Sequence, residues 1–254
     1  MPLSPDNVAI VTGASSGIGR ATALALGRKG LRIALLARSS GRLEKVNEEV
    51  SQAGSPDAIH LKCDVSNEGN VDRATATILD RWGRVDVLVN NAGLSLNGPV
   101  EEYSLEDWRT VIGTNLTGTF LMCRAVLSAM KRQSGGQIIN VSSGAGRNGI
   151  AGMGAYCASK FGVIGLTESL GLEVRNHNIR VSVILPGSVA TEFSSVANRG
   201  RPEGHDESSI GYKMTADEVA GVIVSMLEQP DQAWTSEVVL RPLNLELRRS
   251  LTDE

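Results

Sequence analysis

The chain is short of the residues that build covalent or metal-held frameworks. Among its 254 residues are three cysteines, Cys63, Cys123 and Cys157, an odd number with no CxxC pair. That excludes a disulfide framework and points to a reducing compartment. Three histidines, His60, His177 and His205, are scattered without ligand spacing, so no metal site is expected. Charged residues make up 21% of the chain with a formal net charge of -3, mixed in sign and without a long run of either. This excludes the basic footprint of a nucleic-acid binder and any attraction to an acidic membrane surface. No stretch reads as apolar over the length of a membrane span. The opening "MPLSPDNVAIVTG" has two prolines and an aspartate before its first apolar run and reads as neither signal nor transit peptide. A soluble cytoplasmic protein is expected. Aromatics are only 4%, while glycines number 28, which suits tight turns and close helix–strand packing.

Apolar content is sufficient at 41% hydrophobic residues, enough for a substantial core. It is distributed in short runs that alternate with longer amphipathic ones. "NVAIVTG", "LRIALLA", "AIHLKCD", "RVDVLVNN", "GQIINVSS" and "IRVSVILPG" read as strands, and "SEVVLRPL" as a short last one. Most are continuous rather than alternating, as in strands buried on both faces. The segments between them carry helical spacing and end near glycine or asparagine. The longest, "LEDWRTVIGTNLTGTFLMCRAVLSAMKRQ", reads as one helix. Strand–helix alternation predicts an α/β fold, a Rossmann-type doubly wound parallel sheet of about seven strands with helices on both faces. No linker or repeat divides it, so 1–254 is expected to be one domain. The polar, Gly- and Ser-rich segment at about 192–213 is expected to cover the site.

The first strand runs into "TGASSGIGR", with glycines at 13, 17 and 19 and a helix after them. A strand-to-helix turn of this kind aims free amides and the positive end of the helix dipole at an anion. Together with Arg38 at the end of the second strand, it points to dinucleotide binding. Further along, "GAYCASKFG" sets Tyr156 and Lys160 four residues apart, on one helical face. Free tyrosine titrates at about 10, and a neighbouring ammonium is expected to lower that.

The glycine spacing GxxxGxG, "NNAG" at 90–93, "NVSS" at 140–143, the Tyr156–Lys160 YxxxK motif and "PGSVAT" at 186–191 occur in the order found in the short-chain dehydrogenase/reductase family. The chain resembles that family, in its ketoacyl reductase-like branch, from Val8 to about Thr191. The tail lacks the glycine pair that fatty-acid-type ketoacyl reductases carry after the last strand. The resemblance implies an oxidoreductase in which Tyr156 exchanges a proton with a carbonyl or alcohol oxygen while a nicotinamide exchanges the hydride. It implies that Ser143, thirteen residues before the tyrosine, hydrogen-bonds the substrate oxygen. Ser142 and Ser143 alternate along an extended strand end, so only one of them faces the site. Lys160 is implied to hold the nicotinamide ribose, and Asn115 a water that relays protons.

Cofactor contacts carried over by position are Gly13, Ser15, Ser16, Gly17, Ile18 and Gly19 in the first turn, then Asp64 and Val65 beside the adenine. Asn91, Ala92 and Gly93 would line the ribose side, and Pro186, Gly187, Val189 and Thr191 the carboxamide. Asp64 is equally readable as a turn cap. Ala37 stands where an NAD-preferring member carries an acid, and Arg38 follows it, so NADP(H) is expected. The expected partners are a small-molecule carbonyl or alcohol and a second or further copy of the chain, as a dimer or tetramer. The alternative is a catalytically idle dinucleotide-binding or sensing protein on the same fold.

Overall fold

The computed structural model describes residues 3–5, 7–193, 213–230 and 232–243. Its centre is a sheet of seven strands: β1 Val8–Thr12, β2 Arg32–Ala37, β3 Ala58–Lys62, β4 Val87–Asn90, β5 Gly136–Val141, β6 Ile179–Pro186 and β7 Glu237–Leu240. All neighbours pair in parallel, in the order β3-β2-β1-β4-β5-β6-β7. The helices are α1 Gly17–Arg28, α2 Ser40–Ala53, α3 Glu68–Trp82, α4 Leu105–Ile112, α5 Gly118–Arg132, α6 Gly154–Val174 and α7 Ala216–Leu227.

Side-chain alternation along the strands divides the core into two layers. Ala9 and Val11 of β1 face the layer built from α1, α2 and α7, through Leu26, Val46, Val50, Ile223 and Leu227. Val8 and Ile10 face the opposite layer, where α3, α5 and α6 supply Ile78, Met122, Val126, Met130 and Val174. Both faces of the central strands are therefore buried, which is why their sequences are apolar without alternation. Asp86, just before β4, is 3% exposed; it accepts the Val8 amide at 2.8 Å and pairs with Arg84 at 2.7 Å, pinning β1 and β4 side by side.

The single long helix expected at 105–133 runs unbroken from Leu105 to Arg132 but is not regular throughout. Gly113–Thr117 forms one π-helical turn between α4 and α5, of the kind that arises when a helix ladder accommodates an extra residue. The stretch Leu105–Arg132 also passes the length and composition test of a membrane span, contrary to the sequence expectation. Here it lies against the sheet as core helix: Leu121, Met122, Cys123, Val126 and Met130 are buried in the second layer, with charged residues at both ends.

Candidate functional site

The strand order reverses between β1 and β4, and the crevice at their C-terminal ends is where doubly wound sheets take their ligands. The first turn of that crevice is tight. Gly13 sits at φ +62° and Gly17 at φ +53°, a region that favours glycine. A Cβ on Gly19 would collide with the Gly13 carbonyl oxygen. Ser16 is the N-cap of α1, but its side chain makes no capping hydrogen bond. By contrast α3, α4 and α7 are capped by Asn67, Ser104 and Thr215. The first amides of α1 are thus left for an outside acceptor, and together with the positive end of the helix they fit a pyrophosphate.

The walls of this turn come from distant segments. Thr12 Oγ1 accepts the amides of Asn91 and Ala92, both at 3.0 Å. Asn91 Nδ2 donates to Thr12 O at 3.1 Å and Gly13 O at 3.3 Å, so its side chain fastens the glycine turn to the end of β4. Thr191 closes in from the other side, with its Cγ2 3.3 Å from where a Gly17 Cβ would stand. Gly187 N donates to Leu240 O at 2.8 Å, tying Pro186 and Gly187 to the end of β7. Val189 forms a bridge with Met214: Ala190 N donates to Met214 O at 2.7 Å and Met214 N to Ser188 O at 3.0 Å. Asp64 accepts both the amide and the hydroxyl of Ser66, so it does cap a turn. Val65 packs both its side chain and its carbonyl oxygen against Gly118 at the start of α5. Arg38 is exposed at the end of β2, directly before α2. Most of the segment expected to cover the site, 194–212, lies outside the described residues.

Ser143, Tyr156, Lys160 and Asn115 converge beside this crevice. Ser143 caps a short 3-10 turn, accepting the Ala145 amide at 3.1 Å, and lies near enough to the Tyr156 phenol to lower its titration. Ser142 faces away and donates to the Lys160 carbonyl at 2.9 Å, which locks the start of α6 to β5. Tyr156, in the first turn of α6, is 7% exposed. Lys160 Nζ donates to Val141 O at 2.8 Å and lies 5.7 Å from the centre of the Tyr156 ring. Its two remaining N–H donors have no partner among the described residues. Asn115 sits in the π turn. Its Oδ1 accepts the Leu94 amide at 2.9 Å, and its Nδ2 donates to Leu94 O at 2.9 Å and Ser159 Oγ at 3.0 Å. Gly93 lies between Asn115 and Lys160 (a Cβ there would come within 3.3 Å of Asn115 Oδ1 and 3.6 Å of Lys160 Nζ).

The electrostatics differ from the sequence expectation. Burial pushes the Tyr156 phenol up to about 12, against the nearby Ser143 hydroxyl, which lowers it. The lysine one turn away does not offset this, because burial pushes Lys160 down to about 8, so it has given up its charge well before the phenol titrates. Three supporting residues escaped the sequence analysis: Thr12, Ser159 and Leu94, whose backbone holds Asn115 in both directions. Arg147 is occupied, with Glu237 at 2.5 Å and Glu168 at 3.7 Å. Among the described residues no group of three or more His, Cys, Asp or Glu could hold a metal ion.

A parallel sheet wound this way, with an open glycine turn at its switch point, is a Rossmann-type dinucleotide-binding fold. Residues 7–202 match the family model for short chain dehydrogenases, and the chain belongs to that family, whose members bind a nicotinamide cofactor. It is 38% identical over 240 residues to a 3-oxoacyl-[acyl-carrier-protein] reductase of Synechocystis sp., covering 89% of this chain and 91% of that one. An alcohol dehydrogenase of the archaeon Thermococcus sibiricus, solved with 5-hydroxy-NADP, superposes with a TM-score of 0.82 at 34% identity, covering 93% of this chain and 99% of that one. An NAD+-bound xylitol dehydrogenase superposes with a TM-score of 0.83 at 31% identity, covering 92% and 97%.

Proposed function

We propose that the chain is an NADP(H)-dependent oxidoreductase that interconverts a carbonyl compound and its alcohol, with Tyr156 as the proton donor and acceptor. The observation that carries this reading is the convergence of Ser143, Tyr156 and Lys160 beside the open glycine turn. Ser143 holds the substrate oxygen and the phenol together, which stabilises charge as it develops on that oxygen. Burial keeps Tyr156 protonated at rest, so it is set to act as an acid toward a carbonyl. Lys160 uses its two remaining donors to hold the ribose hydroxyls, at a height fixed by Val141 O. Asn115 keeps the segment after β4 in place and with it the floor under Gly93. A bound nicotinamide would supply or accept the hydride.

The preference for NADP(H) rests on Arg38 and on the missing acid at Ala37. Ser39, the N-cap of α2, makes no side-chain capping bond, so that helix start is also open to a phosphate beside Arg38. The Thermococcus relative favours the same choice and the xylitol dehydrogenase the opposite one. We assign the substrate to small carbonyl or alcohol compounds and the protein to the cytoplasm. All three cysteines are free and buried, and burial pushes Cys63 up to about 11 and Cys123 up to about 12, as suits a reducing compartment. We assign a second copy to the outer face of α4, α5 and α6, where Trp108, Phe120, Phe161 and Leu172 are exposed. The test is to follow oxidation of NADPH and of NADH over a panel of carbonyl compounds, with the parent and with Ala37→Asp/Arg38→Leu. The parent should have the higher kcat/KM with NADPH, and the double variant should reverse it. Equal preference in both proteins would refute the assignment.

A further inference from the structure

Phe193 ends the described stretch that follows β6 directly. Its backbone follows Thr191, which lies against the glycine turn, and its ring meets the ring of Tyr156 with centroids 5.8 Å apart and planes tilted by 52°. The side chain before it, Glu192, turns the opposite way and bonds Arg42 of α2 at 3.1 Å. The two neighbours therefore divide the work. Glu192 ties the segment to α2, and Phe193 is laid over the reactive phenol while remaining 38% exposed.

Apart from Ser143 and Lys160, the described neighbours of Tyr156 are largely apolar. It belongs to a cluster with Ala145, Ala155 and Cys157, against which Leu94, Leu96 and Met153 pack. Tyr103 and Ala155 of the same neighbourhood also line a cavity of about 280 Å³ with Val100 and Trp108. Arg147, the one arginine between Ser143 and Tyr156, is held by two carboxylates and does not offer its charge to a substrate.

We propose that Phe193 is a specificity-determining residue, an aromatic wall that receives the flat ring or apolar arm of a neutral carbonyl compound as its oxygen reaches Ser143 and Tyr156. This rests on the oxidoreductase reading above. Aromatic rings prefer tilted or offset contact, the geometry Phe193 already makes with Tyr156, so a planar substituent extends an existing stack. A carboxylate in the same place would lose its water between a ring, an apolar cluster and the neighbouring Glu192, while the donors of Lys160 are committed to the ribose and Arg147 to its two carboxylates.

The experiment uses the full chain with whichever nicotinamide the parent accepts and three substrates: ethyl benzoylformate, benzoylformate and 2,3-butanedione. The parent should prefer the ester to the acid by on the order of 100-fold in kcat/KM, the scale of leaving a buried charge unpaired. Phe193→Ala should lose about 3- to 10-fold on the ester, mainly through KM, and change less than about 2-fold on butanedione. Phe193→Leu, which keeps bulk but not the ring, should recover only part of that loss. The inference is overturned by a parent that prefers the acid, by one that reduces other carbonyls but not the ester, or by variants whose losses are equal on ester and butanedione. A parent that binds cofactor and reduces no carbonyl at all would overturn the oxidoreductase reading itself and this inference with it.

Discussion

Replacing Lys160 with methionine should make the protein more stable at neutral pH while removing its activity. Lys160 is 5% exposed, and burial moves its titration from 10.5 to about 8. A shift of about 2.5 units corresponds to on the order of 3 kcal/mol of penalty on the charged form. At pH 7, below the folded value, the lysine is charged in both the folded and unfolded chains, so the penalty is fully present. Methionine removes it and fills a similar volume, but leaves Val141 O without the donor at 2.8 Å, a loss of about 1–2 kcal/mol. The net gain is about 1–2 kcal/mol. Between pH 8 and 10.5 the folded lysine is neutral while the unfolded one still carries its proton. Parent stability therefore climbs across that window, by up to ~1.4 kcal/mol per pH unit, and the variant's does not. Urea unfolding of both proteins at pH 7 and at pH 9.5 reads the effect directly: the variant should lead at the lower pH and lose that lead at the higher. A Lys160→Met protein less stable than the parent at pH 7, or a gap that does not change with pH, would refute the reasoning.

Tyr156→Phe should lower kcat by ~10²–10⁴-fold in steady-state assays while cofactor affinity by fluorescence titration stays near the parent's, because the ring and its packing remain. Ser143→Ala should lower kcat by up to ~10²-fold. It should also move the alkaline limb of the rate profile upward, since the hydroxyl that lowers the Tyr156 titration is lost. Ser142→Ala should leave kcat nearly unchanged but cost about 1 kcal/mol in urea unfolding, the worth of its bond to Lys160 O. Gly19→Ala should abolish cofactor binding, read by titration, because the added methyl collides with Gly13 O and forces the turn open.

Much of this architecture is written in short-range patterns. Continuous apolar runs predict β1 to β6 because strands covered on both faces need no polar side. The alternation at "NVSS" lets only one serine face the site, and in the structure Ser142 is turned to the Lys160 carbonyl of α6. What was not legible depends on contacts far apart in sequence. The helix at 105–133 gives no periodic sign of its π turn, which accompanies the bonds from Asn115 to Leu94 and Ser159. Nothing local in the sequence pairs Arg147 with Glu237, 90 residues away. The four-residue spacing of Tyr156 and Lys160 correctly places them together. It says nothing of how deeply both are buried, and burial decides the direction of each titration. Phe193 carries no motif at all; its meeting with Tyr156 is a product of the fold.

The bridge between Val189 and Met214 has an evolutionary consequence. It lays Ser188 to Ala190 alongside Met214, and its two hydrogen bonds belong wholly to backbone atoms. No substitution at these positions short of proline removes them. The entropy of closing a loop grows only with the logarithm of its length, so doubling the chain between two such anchors costs about 0.6 kcal/mol. The bridge itself is therefore indifferent to the sequence joining its two sides and nearly so to its length; the demands on sequence fall instead on Thr191 and Phe193, which touch the glycine turn and Tyr156.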